Sequence, residues 1–483
     1  MVEYEAGPIV FQWRYYAAVL AFFSLCAVIH SIDHDESQYV AAAVLTAHGF
    51  LPFRDFAYLQ TPLQPFLFAP VVWIAGPWVW PVLRLINALL GTGIVLCVWR
   101  AAREAGASSR AALTAAGLLS VCDILLFSIG TARNDALPAA LLAAALVLIV
   151  RAQQGRGSFG AAMLVGLLLA GAAAAKVSYA LPAAAYGVYA LVDRRHHRPL
   201  ALFAGAVPML AFIVWTWAIA PDAFVFGTLR FPALAPAEYY ASRPWKMSFA
   251  AKGIDAIKFF ALGPALVALV AVRRRLARPA AIEGMLIAGL AAALLPFPTW
   301  RQYLLPVLPP LFVLLALEWD RAPPARAMRI VTAVTVFAGL APTVATAVLT
   351  LKGASMPVAL REGTAIRAGL DAAQVRGSVA TLSPQFLGRT GRLPDPRFAA
   401  GPFYFRTHRV IDPAAESKFH IVSADRTSDL ERNPPAAILI GGEAPWTAGD
   451  SDTDALLEAW ATSHGYRPIA IRSARFRLYV RRP

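Results

Sequence analysis

The sequence predicts a polytopic α-helical membrane protein of about eleven helices, with a soluble α/β domain formed by its last quarter. Three observations predict it. Apolar runs of spanning length alternate with short polar connections, every second connection is basic, and the composition changes after about residue 351. Only 15% of the 483 residues are charged and the mean hydropathy is +0.56, which is more apolar surface than a soluble chain of this length can bury.

A net charge of +15 could suggest nucleic acid, but the basic residues sit in short clusters between apolar runs. That pattern sets topology and meets lipid headgroups; no nucleic-acid partner is expected. Cys26, Cys97 and Cys122 all fall inside apolar runs, so no disulfide framework holds the tail. The first run lacks a small-residue cleavage site and is followed by acids, which predicts an uncleaved first helix.

A spanning helix takes roughly 20 mostly apolar residues. The expected spans are 14–31, 81–99, 111–130, 135–151, 159–175, 177–192, 200–220, 254–272, 280–297, 302–318 and 328–350. Their connections carry Arg100, Arg103 and Arg110; Arg151 and Arg156; Arg194, Arg195 and Arg198; Arg273, Arg274, Arg275 and Arg278; and Arg321, Arg326 and Arg329. The alternation follows the positive-inside rule if the N-terminus is cytoplasmic and Pro65–Gly76 does not cross. That piece opens on Pro and ends in Gly-Pro, and reads as juxtamembrane or re-entrant. The expected location is a bacterial inner membrane, multi-pass, with a C-terminal domain in the periplasm.

Domain boundaries follow. Residues 1–350 form the membrane domain, with a first exterior loop at 32–80 and a second long one at 221–253; residues 351–483 form the exterior domain. In the tail, β-like runs occur at Ser378–Leu382, His420–Ser423, Ala436–Ile440, Ile469–Arg472 and Phe476–Val480, with helical patterns at 357–374 and 452–463. No phosphate loop, nucleophile elbow or metal-ligand spacing appears there.

Chemistry is suggested by where the ionisable groups near apolar runs fall. Asp35 and Glu36 close the first helix, Asp135 opens the fourth, Lys176 separates the fifth and sixth, and Arg301 precedes the tenth. All land on the exterior face of a topology derived from other residues. Such groups are costly at membrane edges unless they line a cavity. Carboxylates beside cations suit a reaction in which a hydroxyl loses its proton while a phosphate departs.

The order of motifs resembles a family. Asp35-Glu36-x-x-Tyr39 is followed by a Pro-rich segment at 61–70, Arg84-x-x-Asn87 and Arg133-Asn134-Asp135. Lys176 then stands before Pro182, and Arg301-Gln302-Tyr303-Leu304-Leu305-Pro306 comes last. Over roughly 10–350 and the exterior tail, this is similar to the GT-C glycosyltransferases, in particular the protein O-mannosyltransferases and the lipid A aminoarabinose transferases. The resemblance implies an inverting enzyme that takes a sugar from a polyprenyl-phosphate donor and passes it to a lipid, glycan or protein acceptor. By position it makes Asp35 the general base, with Glu36 and Asp135 as the other catalytic acids. Lys176 and Arg301 would touch the donor phosphate. Tyr39, Arg84, Arg133 and Tyr303 of the same motifs, with Arg243 of the second loop, complete the candidate substrate contacts. Aminoarabinose transferases place Lys before the Pro of the first loop where this chain has Thr61-Pro62, which implies a different phosphate contact or sugar.

Structural readings stand beside these. Asp35 and Glu36 could cap the helix that follows, Asp135 could cap or pair with Arg133, and Lys176 and Arg301 could anchor helix ends. His30, His34 and Asp33 could share a face as metal ligands; a polar-edge role fits them better, so a divalent metal is unsupported and no cofactor beyond the lipid-linked donor is expected. Trp78, Trp80, Trp245 and Trp300 read as interfacial belt residues. The rival function is a secondary transporter or flippase of a lipid-linked or anionic substrate. Against it, the charges gather at one face and no inverted half-repeat is visible.

Overall fold

The computed structural model describes residues 9–277, 280–407 and 409–481; Arg278 of the expected basic cluster lies outside them. The first two-thirds of the chain is helical. The helices that build the site are α1 (Ile9–Ile29), α2 (Glu36–Ala47), α3 (Leu63–Ala75), α4 (Val79–Glu104), α5 (Ser109–Leu119), α6 (Asp123–Gly130), α7 (Ala136–Arg151), α8 (Phe159–Ala175) and α9 (Ala180–Val192).

Among the described residues, five helical stretches are long and apolar enough to cross a membrane: 63–104, 136–156, 199–219, 301–321 and 326–372. Counting each of two bent pairs as one span raises the number to seven: α5 with α6, at 61°, and 249–261 with 265–272, at 99°. Shorter apolar helices lie at 13–29, 159–175, 177–192 and 281–294. Each expected span falls on one of these segments, and the stretch 13–29 is the larger part of α1, which at Ile9–Ile29 is 21 residues long and has the length to cross like the five. The Pro65–Gly76 piece is helix α3, which stops at Gly76 (φ +51) and Pro77 before α4 begins.

The two bends are one feature. Gly263, with φ +128 ahead of Pro264, breaks its helix directly against Cys122, where α5 and α6 part. The amide of Asp123 then donates to the carbonyl of Leu262 at 3.0 Å, so each break satisfies a backbone group the other exposes. Elsewhere α8 and helix Pro199–Ile219 pack backbone to backbone, since a Cβ at Gly166 or Gly205 would run into a carbonyl of the facing helix.

At one end of the bundle the basic connections are tied together. Arg100 and Arg156 both pair with Glu104, Ser108 donates its amide to Asp320, and Arg275 pairs with Glu283 and Glu318. At the other end lies the C-terminal part, a four-stranded sheet in the order β1-β2-β4-β3, where β1 is Val379–Ala380, β2 Ala437–Ile440, β3 Tyr466–Ile469 and β4 Arg477–Arg481. The β1–β2 pair is parallel and the rest antiparallel. Strand alternation divides the core. Ala437 and Leu439 face helix Met356–Ala372 and continue into an apolar cluster with Ile32, Phe68, Trp80 and Leu83, while Ile438 and Ile440 face helix Ser451–Ser463.

Two expected strands are corrected. His420–Ser423 is not a strand: His420 has φ +53, and Ser423 makes a single bridge to Arg426. The run at Ile469–Arg472 is displaced to Tyr466–Ile469. Gly465 (φ +77) follows the end of the preceding helix and lets the strand start at Tyr466, and the Ser473 side chain accepts the amides of Arg475 and Phe476, turning the chain just beyond Arg472.

Candidate functional site

The site grows from the turn between α1 and α2. The Asp33 carboxylate accepts the amide of Asp35 at 2.8 Å, and Glu36 reaches back to the amide of Asp33 at 3.3 Å. These two bonds close the turn ahead of α2, so Asp33 and Glu36 do the local structural work and Asp35, at the N-cap position but with no side-chain cap bond, is left for other contacts. Ile32 and His34 donate their amides to the carbonyls of Ala354 and Thr447, which pins the turn against the C-terminal part.

Glu36 points away from solvent and is fully buried. It accepts from Arg84 Nε at 2.7 Å and Nη2 at 2.5 Å, Trp80 Nε1 at 3.0 Å and the Ala132 amide at 2.7 Å. Arg84 spends its other donors on the carbonyls of Ala27, His30 and Ser31, so all five of its N–H groups are used internally. Asn87, one turn further along α4, donates to the carbonyls of Thr131 and Arg133 and so sets the loop before α7.

Asp35 stands at the head of a row of alternating charges. Arg133 forms a close ion pair with it and reaches Asp135 at 3.3 Å; Asp135 in turn forms a close pair with Lys176, which extends from the end of α8. Arg301 approaches from the other side and donates to both Asp123 oxygens at 3.1 Å. The Phe127 ring lies under both guanidinium groups, 3.7 Å from Arg301 and 5.3 Å from Arg133. Lys176 Nζ sits 5.6 Å from the Tyr303 ring.

These groups border a cavity of about 410 Å³. Asp35, Tyr39, Arg133, Lys176, Arg301 and Tyr303 line it, Asp135 lies one residue behind, and the aromatic wall is Tyr239, Tyr240 and Trp300. The C-terminal part closes it with Phe403, Arg406, Thr407 and Ala448. Besides Asp135, three of the expected residues are not on its wall. Glu36 and Arg84 are sealed against each other, and Arg243 is exposed, stacked on the Tyr240 ring at 5.5 Å. His30, offered with His34 and Asp33 as a ligand set, stands apart, bonded to the Ser31 carbonyl and packed against Phe127.

Burial works against charge throughout this turn. Asp35 resists it: Arg133, then His34 and Arg406, outweigh desolvation and hold its carboxyl well below the usual carboxylate range. Asp33 goes the other way, raised by burial and by the Asp35 charge. His34 bridges the two parts of the chain, with Nε2 3.1 Å from Asp35 and Nδ1 3.2 Å from the buried Glu443. Those bonds overcome desolvation and push it up to about 10. The stability this contributes is complete below the unfolded value near 6.5 and is lost as pH rises through about 10. The melting-temperature gap between wild type and Glu443→Gln should therefore be widest near pH 6 and narrow toward pH 10. A gap independent of pH over that window would show that His34 is not held charged by Glu443.

Sequence reasoning passed over Asp123 and Arg406. Asp123 had a signal, as an acid in the interior of the expected span 111–130; Arg406 had none.

Comparison with known proteins agrees with the resemblance read from the motifs. A family model described as dolichyl-phosphate-mannose-protein mannosyltransferase matches residues 59–217, which include Arg84, Asn87, Arg133, Asp135 and Lys176. The fold is that of ArnT from Cupriavidus metallidurans, at 16% identity over 98% of both chains, with TM-scores of 0.59 to its apo structure and 0.57 to its structure bound to undecaprenyl phosphate. It is also shared with the arabinofuranosyltransferase AftD from Mycobacteria, at 18% identity and TM-score 0.54, covering 97% of this chain and 41% of that one. No curated protein matches the sequence. The chain thus resembles the GT-C glycosyltransferases in fold as well as in motif order.

Proposed function

We propose that the protein is an inverting glycosyltransferase that moves a sugar from a polyprenyl-phosphate donor to a hydroxyl-bearing acceptor on the exterior face of a bacterial inner membrane. One observation carries this reading. Asp35 and three cations, Arg133, Lys176 and Arg301, drawn from four separate parts of the chain, border one cavity between the helices and the C-terminal part. The likeness to ArnT, solved with undecaprenyl phosphate, supports a lipid phosphate as the leaving group.

The chemistry follows from the layout. An acceptor hydroxyl oxygen attacks the anomeric carbon as the bond to the phosphate oxygen breaks. The electron pair leaves with the polyprenyl phosphate, and the hydroxyl proton passes to Asp35. Developing charge on the phosphate meets Lys176 and Arg301, each already aimed by a buried acid, Asp135 and Asp123. Tyr39, Tyr303 and the rings of Tyr239, Tyr240 and Trp300 supply apolar faces for a sugar.

The test is donor binding. Lys176→Ala or Arg301→Ala should weaken undecaprenyl-phosphate binding by roughly 2–5 kcal/mol if the phosphate is desolvated against them. Unchanged affinity in both variants would return these residues to an anchoring role. The site faces the exterior only if the tail does. Reporter fusions at Lys352 and Arg275 should then report opposite compartments, and a shared compartment would break the topology on which the reading stands.

A further inference from the structure

The cavity's cations are not equivalent. Arg133 is engaged by Asp35 and Asp135, Lys176 by Asp135, and Arg301 by Asp123. Arg406, at the end of the short helix Phe403–Arg406, is different. Among the described residues its side chain has no ion pair and no hydrogen bond, and its Nε is shut off from solvent without a partner. Unused guanidinium donors in a partly buried wall are rare, because a desolvated N–H with no acceptor costs free energy.

Arg406 is nonetheless held in place. Its guanidinium lies 4.6 Å from the Tyr239 ring and 4.9 Å from the Phe403 ring, so two aromatic faces fix the plane while the N–H edge stays free. Phe403 in turn packs against His34, at 6.3 Å between ring centres. The plane is therefore oriented from three directions: the second long loop, the C-terminal part and the turn that carries Asp35. A side chain stacked in this way and left without an acceptor is prepared for a ligand that brings one.

We propose that Arg406 is an anion subsite that receives a phosphate group of a substrate in the cavity, with Tyr239 and Phe403 as its positioning residues. Planar N–H pairs match phosphate oxygens, and the bidentate geometry is one a lysine would not reproduce. The subsite deepens the transfer reading and rests on it for the identity of the phosphate. Two sources share this chemistry, the lipid phosphate of the donor and a phosphate carried by the acceptor.

The experiment measures binding of two probes to the full-length protein in detergent micelles: undecaprenyl phosphate, and the soluble phosphomonoester glucose 1-phosphate. Arg406→Gln should weaken binding of one probe by about tenfold to a hundredfold, the worth of charge-assisted hydrogen bonds. Arg406→Lys should recover only part of the loss. A loss confined to undecaprenyl phosphate assigns the subsite to the donor, and one confined to glucose 1-phosphate assigns it to the acceptor. Tyr239→Leu, which removes a stacking ring and keeps the charge, should show a smaller loss for the same probe. Equal affinity of wild type and Arg406→Gln for both probes overturns the subsite, as does a wild-type protein that binds neither. Failure of the transfer reading looks different: wild type would ignore undecaprenyl phosphate yet bind the soluble phosphate in an Arg406-dependent way.

Discussion

Asp35→Asn is expected to leave the protein folded and inserted while lowering sugar transfer by about 10²–10⁴, the usual cost of removing a positioned base. The amide keeps the size and the hydrogen-bonding shape of the acid but takes no proton. Its neighbours separate the roles further. Asp35 makes no cap bond, so its loss spares the turn, whereas Asp33→Asn disturbs a carboxylate that holds the Asp35 amide. A carboxyl held well below its usual range is ionised at any working pH, and by the same token is a weak proton acceptor at rest. Its strongest attractive partner is Arg133. A phosphate arriving at Arg133 would draw that guanidinium away and let Asp35 rise toward the ordinary carboxylate range as the hydroxyl needs it. Transfer from a polyprenyl-phosphate donor in proteoliposomes decides the matter. Full turnover in Asp35→Asn would remove it as the base, and loss confined to Asp33→Asn would pass the role to the residue whose carboxyl burial already raises.

Much of the site is legible in the sequence, for a physical reason. Membrane topology is written in one dimension, so alternation of basic connections predicts a shared face for Asp35, Arg133, Lys176 and Arg301, and the fold brings them to one cavity. Direction was not legible. Asp35 and Glu36 are adjacent in sequence, but the rotation of about 100° between successive helical residues sends them different ways, Glu36 into Arg84 and Asp35 to Arg133. The Asp33-x-x-Glu36 spacing carried that information, since it is a turn-closing pattern that occupies both of its acids. Arg243 misled because an aromatic, basic loop looks alike whether its cation faces a cavity or stacks outside on Tyr240. Contributions from the tail stayed hidden because Arg406 and Glu443 meet the α1–α2 turn only through tertiary packing hundreds of residues away, which no local pattern records.

Arg84→Leu is expected to destabilise the protein by roughly 3–5 kcal/mol, the cost of leaving a buried charge without its partner. Five N–H groups would be lost together, two from Glu36 and three from the carbonyls that end α1. Glu36 would keep only Trp80 Nε1 and the Ala132 amide, too little to hold a fully buried carboxylate. The turn bearing Asp35 hangs on this pair, so the variant should melt earlier in detergent and lose transfer as a consequence. The double variant Arg84→Leu/Glu36→Gln separates causes, because removing the orphaned charge should return part of the lost stability. The competing role for Arg84, a direct contact to substrate, makes the opposite demand. An Arg84→Leu protein with wild-type melting but weakened undecaprenyl-phosphate binding would mean that the Glu36–Arg84 seal opens during the reaction. Early melting with partial rescue by Glu36→Gln would place the pair in the scaffold that aims Asp35 at the cavity.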